Sequence, residues 1–87
     1  MYLHLGQSVV VHQKDLLGIF DLDNTSYSYR TRKFLEQADR EGRVITATED
    51  LPKSFVLCQN KNGKTIVYLS QFSSATLRGR AENNSFE

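Results

Sequence analysis

Between Ser28 and Glu41 the apolar spacing of this chain shifts from every second residue to every third and fourth, and it shifts back directly after Gly42. Thr31, Phe34, Leu35 and Ala38 fall on one helical stripe. Gly42 supplies the left-handed stop that commonly ends a helix, and Ser26 or Ser28 is placed to cap its start. A single amphipathic helix set between runs of period two restricts the architecture. The expected class is α+β, with a small, largely antiparallel sheet, one main helix and a short C-terminal helix.

The flanking segments supply the strands. Tyr2-Leu3-His4-Leu5 alternates up to Gly6, and Val9-Val10-Val11 resumes, which reads as two short strands or one strand bent at Gly6 and Gln7. Leu16 to Leu22 is apolar on both faces for most of its length and reads as a central strand, one face of which a neighbouring subunit would cover. Asp23 to Ser26 breaks it with turn formers. Arg43 to Ala47 is a short strand, and Thr48-Glu49-Asp50-Leu51-Pro52 is a polar loop. Ser54–Gln59 and Thr65–Ser70 surround Asn62-Gly63, a strong hairpin signal. A type I′ turn there would set Lys61 opposite Lys64, Cys58 opposite Val67 and Val56 opposite Leu69. Ser73 or Ser74 caps a final helix that runs through Leu77 and Arg78 and stops at Gly79. Residues 1–80 are expected to form a single domain, and 81–87 a flexible tail.

At 87 residues such a domain buries a smaller share of its surface than larger ones do. One cysteine forms no internal disulfide, and no Cys/His spacing suits a structural zinc. Oligomerisation is the remaining common source of buried area. Cys58, within Phe55-Val56-Leu57-Cys58, reads as a small buried hydrophobe in a reducing compartment. The expected location is the cytoplasm, since neither a signal-peptide pattern nor a membrane-spanning apolar stretch is present. A net charge of +1 is too small to hold nucleic acid by bulk charge in a monomer. An oligomer differs, because a modest basic patch repeated around it meets many phosphates at once.

Catalytic strings are poorly supported. Asp21-Leu22-Asp23-Asn24-Thr25 after a buried strand has the D-x-D-x-T form of haloacid dehalogenase-type phosphatases, whose first Asp is a nucleophile and whose second is an acid/base beside magnesium. Too little chain follows to supply the later Lys and acidic pair, and carboxylates after a strand are common turn formers. His4 and His12 have no carboxylate or Cys at a spacing that would orient them. No Gly-rich phosphate loop is present. No enzyme activity, metal or cofactor is expected.

The basic residues carry more. Arg30, Arg32 and Lys33 crowd the first turn of the main helix, where the macrodipole disfavours cations and free amides attract anions. Two readings of that cluster stand side by side. Either it meets phosphates, or Glu36, four residues after Arg32, and the nearby Asp21 and Asp23 neutralise it. Tyr27 and Tyr29 suit base stacking by type, but interface or core packing is the more frequent role of Tyr in a small oligomeric domain. Lys14, Lys53, Lys61 and Lys64 fall at strand ends or turns, from which a lysine reaches a phosphate backbone without reading bases. Any sequence preference would then come from DNA shape.

Tyr2-Leu3-His4-Leu5-Gly6, Lys53-Ser54-Phe55-Val56, Tyr68-Leu69-Ser70 and Ser73-Ser74-Ala75-Thr76-Leu77 resemble, in that order, the small bacterial extracellular matrix regulators of the RemA/RemB family. RemB-type sequences are the most similar in kind. The resemblance implies a cytoplasmic, DNA-associated transcriptional regulator of matrix (biofilm) genes that works as a homo-oligomer, which in RemA-type proteins is a ring. RemA-type proteins contact DNA through loop arginines. The matching loop here reads Glu49-Asp50-Leu51-Pro52-Lys53, without paired arginines, and Lys14-Asp15 stands at the early loop. The expected phosphate contacts are therefore Lys14, Arg30, Arg32, Lys33 and Lys53. The alternative is a module that co-assembles with a paralogue or another regulator without touching DNA.

Overall fold

The computed structural model describes residues 2–22 and 29–83. The elements follow the order β1 (Tyr2–Gly6), β2 (Val9–His12), a 3-10 turn (Gln13–Asp15), β3 (Leu16–Asp21), α1 (Tyr29–Arg40), β4 (Val44–Thr46), β5 (Ser54–Gln59), β6 (Thr65–Ser70) and α2 (Ser74–Asn83). The α+β class and both helices are as the periodicity requires. Candidate caps Ser26 and Ser28 lie outside the described residues.

Strands β3, β5, β6 and β4 form one sheet in that order, antiparallel except where β4 runs parallel to β6. The strand buried on both faces is β5, in which Ser54, Phe55, Val56 and Cys58 are all buried. The Leu16–Leu22 run, expected to be central, forms the sheet's edge. Its register slips between Leu16 and Gly18, and Leu17 and Phe20 remain 54% and 43% exposed. Apolar character on two faces is therefore no sign of a central position here. One face is simply left open.

Two layers cover the sheet. On one side α1 presents Phe34, Leu35 and buried Ala38 to Phe55, Leu57, Val67 and Leu69, and Gly42 ends the helix at φ 73°. On the other side the β1–β2 hairpin and α2 place Leu3, Leu5, Val11 and Leu77 against Ile19, Val56 and Cys58. The hairpin alternative read at Gly6 and Gln7 is the one adopted, with φ values of 141° and 46°. A Cβ on Gly6 would collide with the Ala47 carbonyl oxygen, so glycine is needed both for the conformation and for the approach of β1 to the sheet.

The β5–β6 register differs by one from the type I′ expectation: Cys58 pairs with Ile66 and Val56 with Tyr68. The cause is Asn60. Its side-chain oxygen accepts from the Asn62 and Lys64 amides, while its carbonyl accepts from Gly63 N. That builds a three-residue loop with Gly63 at φ 80°, the turn-plus-bulge form of hairpin. The last helix also departs from expectation. Ser73 is its cap, accepting from Thr76 N at 3.1 Å, and the helix passes through Gly79 to Asn83. Leu77 buried against the sheet and the Gln13 amide bonded to the Ala81 carbonyl hold it past the glycine.

Two opposed serines join the layers. Ser70 Oγ donates to the Leu5 carbonyl at 2.6 Å and accepts from Phe72 N at 3.1 Å, while Ser54 Oγ donates to the Phe72 carbonyl at 2.8 Å. Replacing Ser70 by Ala strands a buried carbonyl and an amide, so Ser70→Ala should lower unfolding free energy by about 1–3 kcal/mol. Urea denaturation should report this as a lower midpoint with an unchanged slope.

Candidate nucleic-acid interface

Helix α1 begins at Tyr29 with no acidic residue in its first turn. At 100° per residue, the Phe34, Leu35 and Ala38 stripe that packs on the sheet sets Arg30 and Arg32 on its two flanks and Lys33 opposite, and all three are exposed. Lys33 Nζ lies 5.5 Å from the centre of the Tyr29 ring, four residues earlier. No ion pair joins Arg32 to Glu36 among the described residues, whose one ion pair is Arg43 with Glu41 at 2.8 Å. Asp21 has interactions of its own; Asp23 and Tyr27 lie outside the described residues.

The far end of α1 is fixed near the β5–β6 turn, because Arg43 N donates to the Ala38 carbonyl, Val67 N to the Arg43 carbonyl, and Arg43 Nη1 to the Thr65 carbonyl. The first turn of α1 therefore points toward the other end of the sheet. Lys53 belongs to that end: its carbonyl accepts from Leu22 N and its own N donates to Ser70. Lys14 does not. It lies just before Leu16, which pairs with Cys58, next to the turn that carries Lys61 and Lys64. The fold thus groups Arg30, Arg32, Lys33 and Lys53 toward one end and sets Lys14 at the other.

The remaining cations differ in their employment. Arg78 Nη2 donates to the Ile19 carbonyl at 2.7 Å, Arg80 lies over the Phe72 ring at 4.4 Å, and Arg43 bonds Glu41. Lys14, Arg30, Arg32 and Lys53 are exposed and enter no such side-chain contact among the described residues. Arg40, which the sequence reading passed over, shares the solvent arc of α1 with Lys33, seven residues away. Helical periodicity alone would have found it. The Arg78 contact spans 59 residues and leaves no local signal.

The other candidates have structural duties. His4 Nε2 donates to the Gln7 carbonyl at 2.7 Å, and His12 Nδ1 accepts from Lys14 N at 3.3 Å. No group of three metal-ligating side chains occurs among the described residues. No helix among them is long and apolar enough to cross a membrane. In the Glu49–Lys53 loop, Thr48 Oγ1 accepts from Asp50 N, and Leu51 stands 88% exposed.

No family model matches the sequence. Compared with curated proteins, the chain is 34% identical over 82 residues to extracellular matrix regulatory protein B of Bacillus subtilis (strain 168), covering 94% of this chain and 91% of that protein. The chain belongs to the RemB-type extracellular matrix regulators. A match over nearly the whole length places α1, its cations and the Lys53 loop within the RemB-type region.

Cys58 of this RemB-type chain is a packing residue. It is 3% exposed, and burial, aided by the nearby Asp15 carboxylate, pushes its thiol from 9.0 up to about 11. A thiol whose pKa rises on folding favours the native state below the unfolded value and loses that contribution as pH rises through the folded one. Stability should accordingly fall between pH 9 and about 11, and Cys58→Ala should flatten that slope in urea titrations run across this range. At pH 8 the native thiol should react with a disulfide reagent only as fast as the protein opens.

Proposed function

We propose that this protein regulates extracellular matrix genes by contacting the phosphate backbone of DNA through Arg30, Arg32, Lys33 and Lys53, with Lys14 as a separate contact, from a homo-oligomeric scaffold. The observation that carries this reading is the exposed cationic first turn of α1. Three cations stand where a helix prefers anions, and none has an acidic partner among the described residues. Such a break in a local rule is retained where a ligand repays it. The B. subtilis relative is an extracellular matrix regulatory protein, which supports matrix genes as the output.

The small net charge makes the oligomer part of the proposal, because four or five phosphates per chain are a weak hold until copies are linked. The edge strand β3 offers the surface, with Leu17 and Phe20 open to solvent. The same observation favours the second reading, co-assembly with a paralogue or another regulator through β3 without direct DNA contact. The two differ in salt dependence.

Anisotropy of a labelled promoter-length duplex, titrated at several salt concentrations, separates them. The proposal expects log affinity to fall linearly with log salt, and Arg30→Ala, Arg32→Ala and Lys33→Ala together to reduce that slope by roughly 0.9 per lost phosphate contact. The fall should be similar for unrelated duplexes. Absence of binding at low salt would reject direct DNA contact and leave co-assembly.

A further inference from the structure

The face of the β1–β2 hairpin turned away from the core is a second surface, distinct from α1. Strand alternation sends Leu3, Leu5 and Val11 inward and leaves Tyr2, His4, Val10 and His12 on the other side. Tyr2 is 63% exposed. Its ring meets that of His12 at 4.9 Å across the strand pair. One pleat further along β1, the His4 ring lies 6.5 Å from Phe72, and the Arg80 guanidinium lies over Phe72 at 4.4 Å. Two ring pairs thus follow one another along β1, with Tyr2, His4 and Arg80 exposed, His12 half-buried and Phe72 half-buried against the core.

The row is held from behind. The His4 and His12 rings are fixed by Gln7 and by Lys14 N, and the backbone of Phe72 is bonded at both N and O by Ser70 and Ser54. Charge completes it. Gln13 Nε2 donates to the Ala81 carbonyl at 2.7 Å, which draws the Lys14 turn beside the residue after Arg80. Neither Lys14 nor Arg80 is in an ion pair among the described residues. Asp15 and Glu82, their sequence neighbours, form no ion pair with either among the described residues, and Glu82 lines the shallow groove with Leu16 and Ile19.

We propose that this row is a stacking surface for unpaired nucleobases, a single-stranded nucleic-acid site separate from the α1 duplex contacts. The exposed Tyr2 and His4 rings and the Arg80 guanidinium, itself supported by the Phe72 ring, accept any base by its π face, and flanking cations track the backbone. Tyr and Arg also serve protein interfaces, so charge makes the choice: Arg80 and Lys14 border the rings with no ion pair among the described residues. The row therefore suits a polyanion with planar groups, and its affinity is tolerant of base identity.

The test is anisotropy of a short labelled oligothymidylate with the full chain at low salt. Binding is expected, weakened about tenfold or more by Tyr2→Ala and by Arg80→Gln, retained by Tyr2→Phe, and unchanged by replacing Arg30, Arg32 and Lys33 with Gln. Circular dichroism checks the fold of each variant, and the exposed Arg80 gives a second variant should Tyr2→Ala misfold. Loss of duplex binding in the α1 variant with oligothymidylate binding intact supports a separate site. Three results overturn the proposal: no oligothymidylate binding, equal binding by Tyr2→Ala and Arg80→Gln, or dissociation of an oligomer by those variants in sedimentation, which would make the row a protein interface.

Discussion

Ser54 and Ser70 face each other across β5 and β6 with no exposed surface at all. A buried hydroxyl is costly unless bonded, and each of these is satisfied by backbone from another layer, Leu5 of the hairpin or Phe72 at the entrance to α2. That small polar centre fixes where the outer hairpin and the last helix sit on the sheet. With one face closed in this way and α1 closing the other, β5 is sealed, and the exposed side chains are sorted to the periphery.

The sorting separates charges by duty. Arg43 and Arg78 are hydrogen-bonded to carbonyls or a carboxylate, so they serve the fold first, whereas the exposed Arg80 rests on the Phe72 ring. Arg30, Arg32 and Lys53 are left outward without such ties, and the rigid seat of α1 on Phe55 and Val67 holds the helix that presents two of them. A cation held out on a fixed helix gains more from a phosphate than one on a loose loop, since less ordering remains to be done on binding. The unpaired edge of β3 is guarded at Ile19 by Arg78, which limits indiscriminate strand pairing.

Much of this was legible in the residues. The Phe34, Leu35 and Ala38 stripe and Gly42 gave α1 and its end, and the β runs gave six strands in order. The misses share a cause. The edge position of β3, the one-residue register difference at Asn60 and the continuation of α2 past Gly79 are each decided by contacts distant in sequence or by a side chain competing for turn amides. For the interface, the α1 cations were visible as a broken helix rule. That Lys53 falls toward their end and Lys14 does not follows only from the antiparallel pairing of β3 with β5.

The most direct test of the account is a two-dimensional amide NMR titration of the full chain with a short duplex at low and high salt. The account predicts salt-reversible shifts centred on Arg30 to Lys33 and Lys53, with the buried β5 amides nearly unmoved. Shifts confined to β3, or none at any salt, would contradict it.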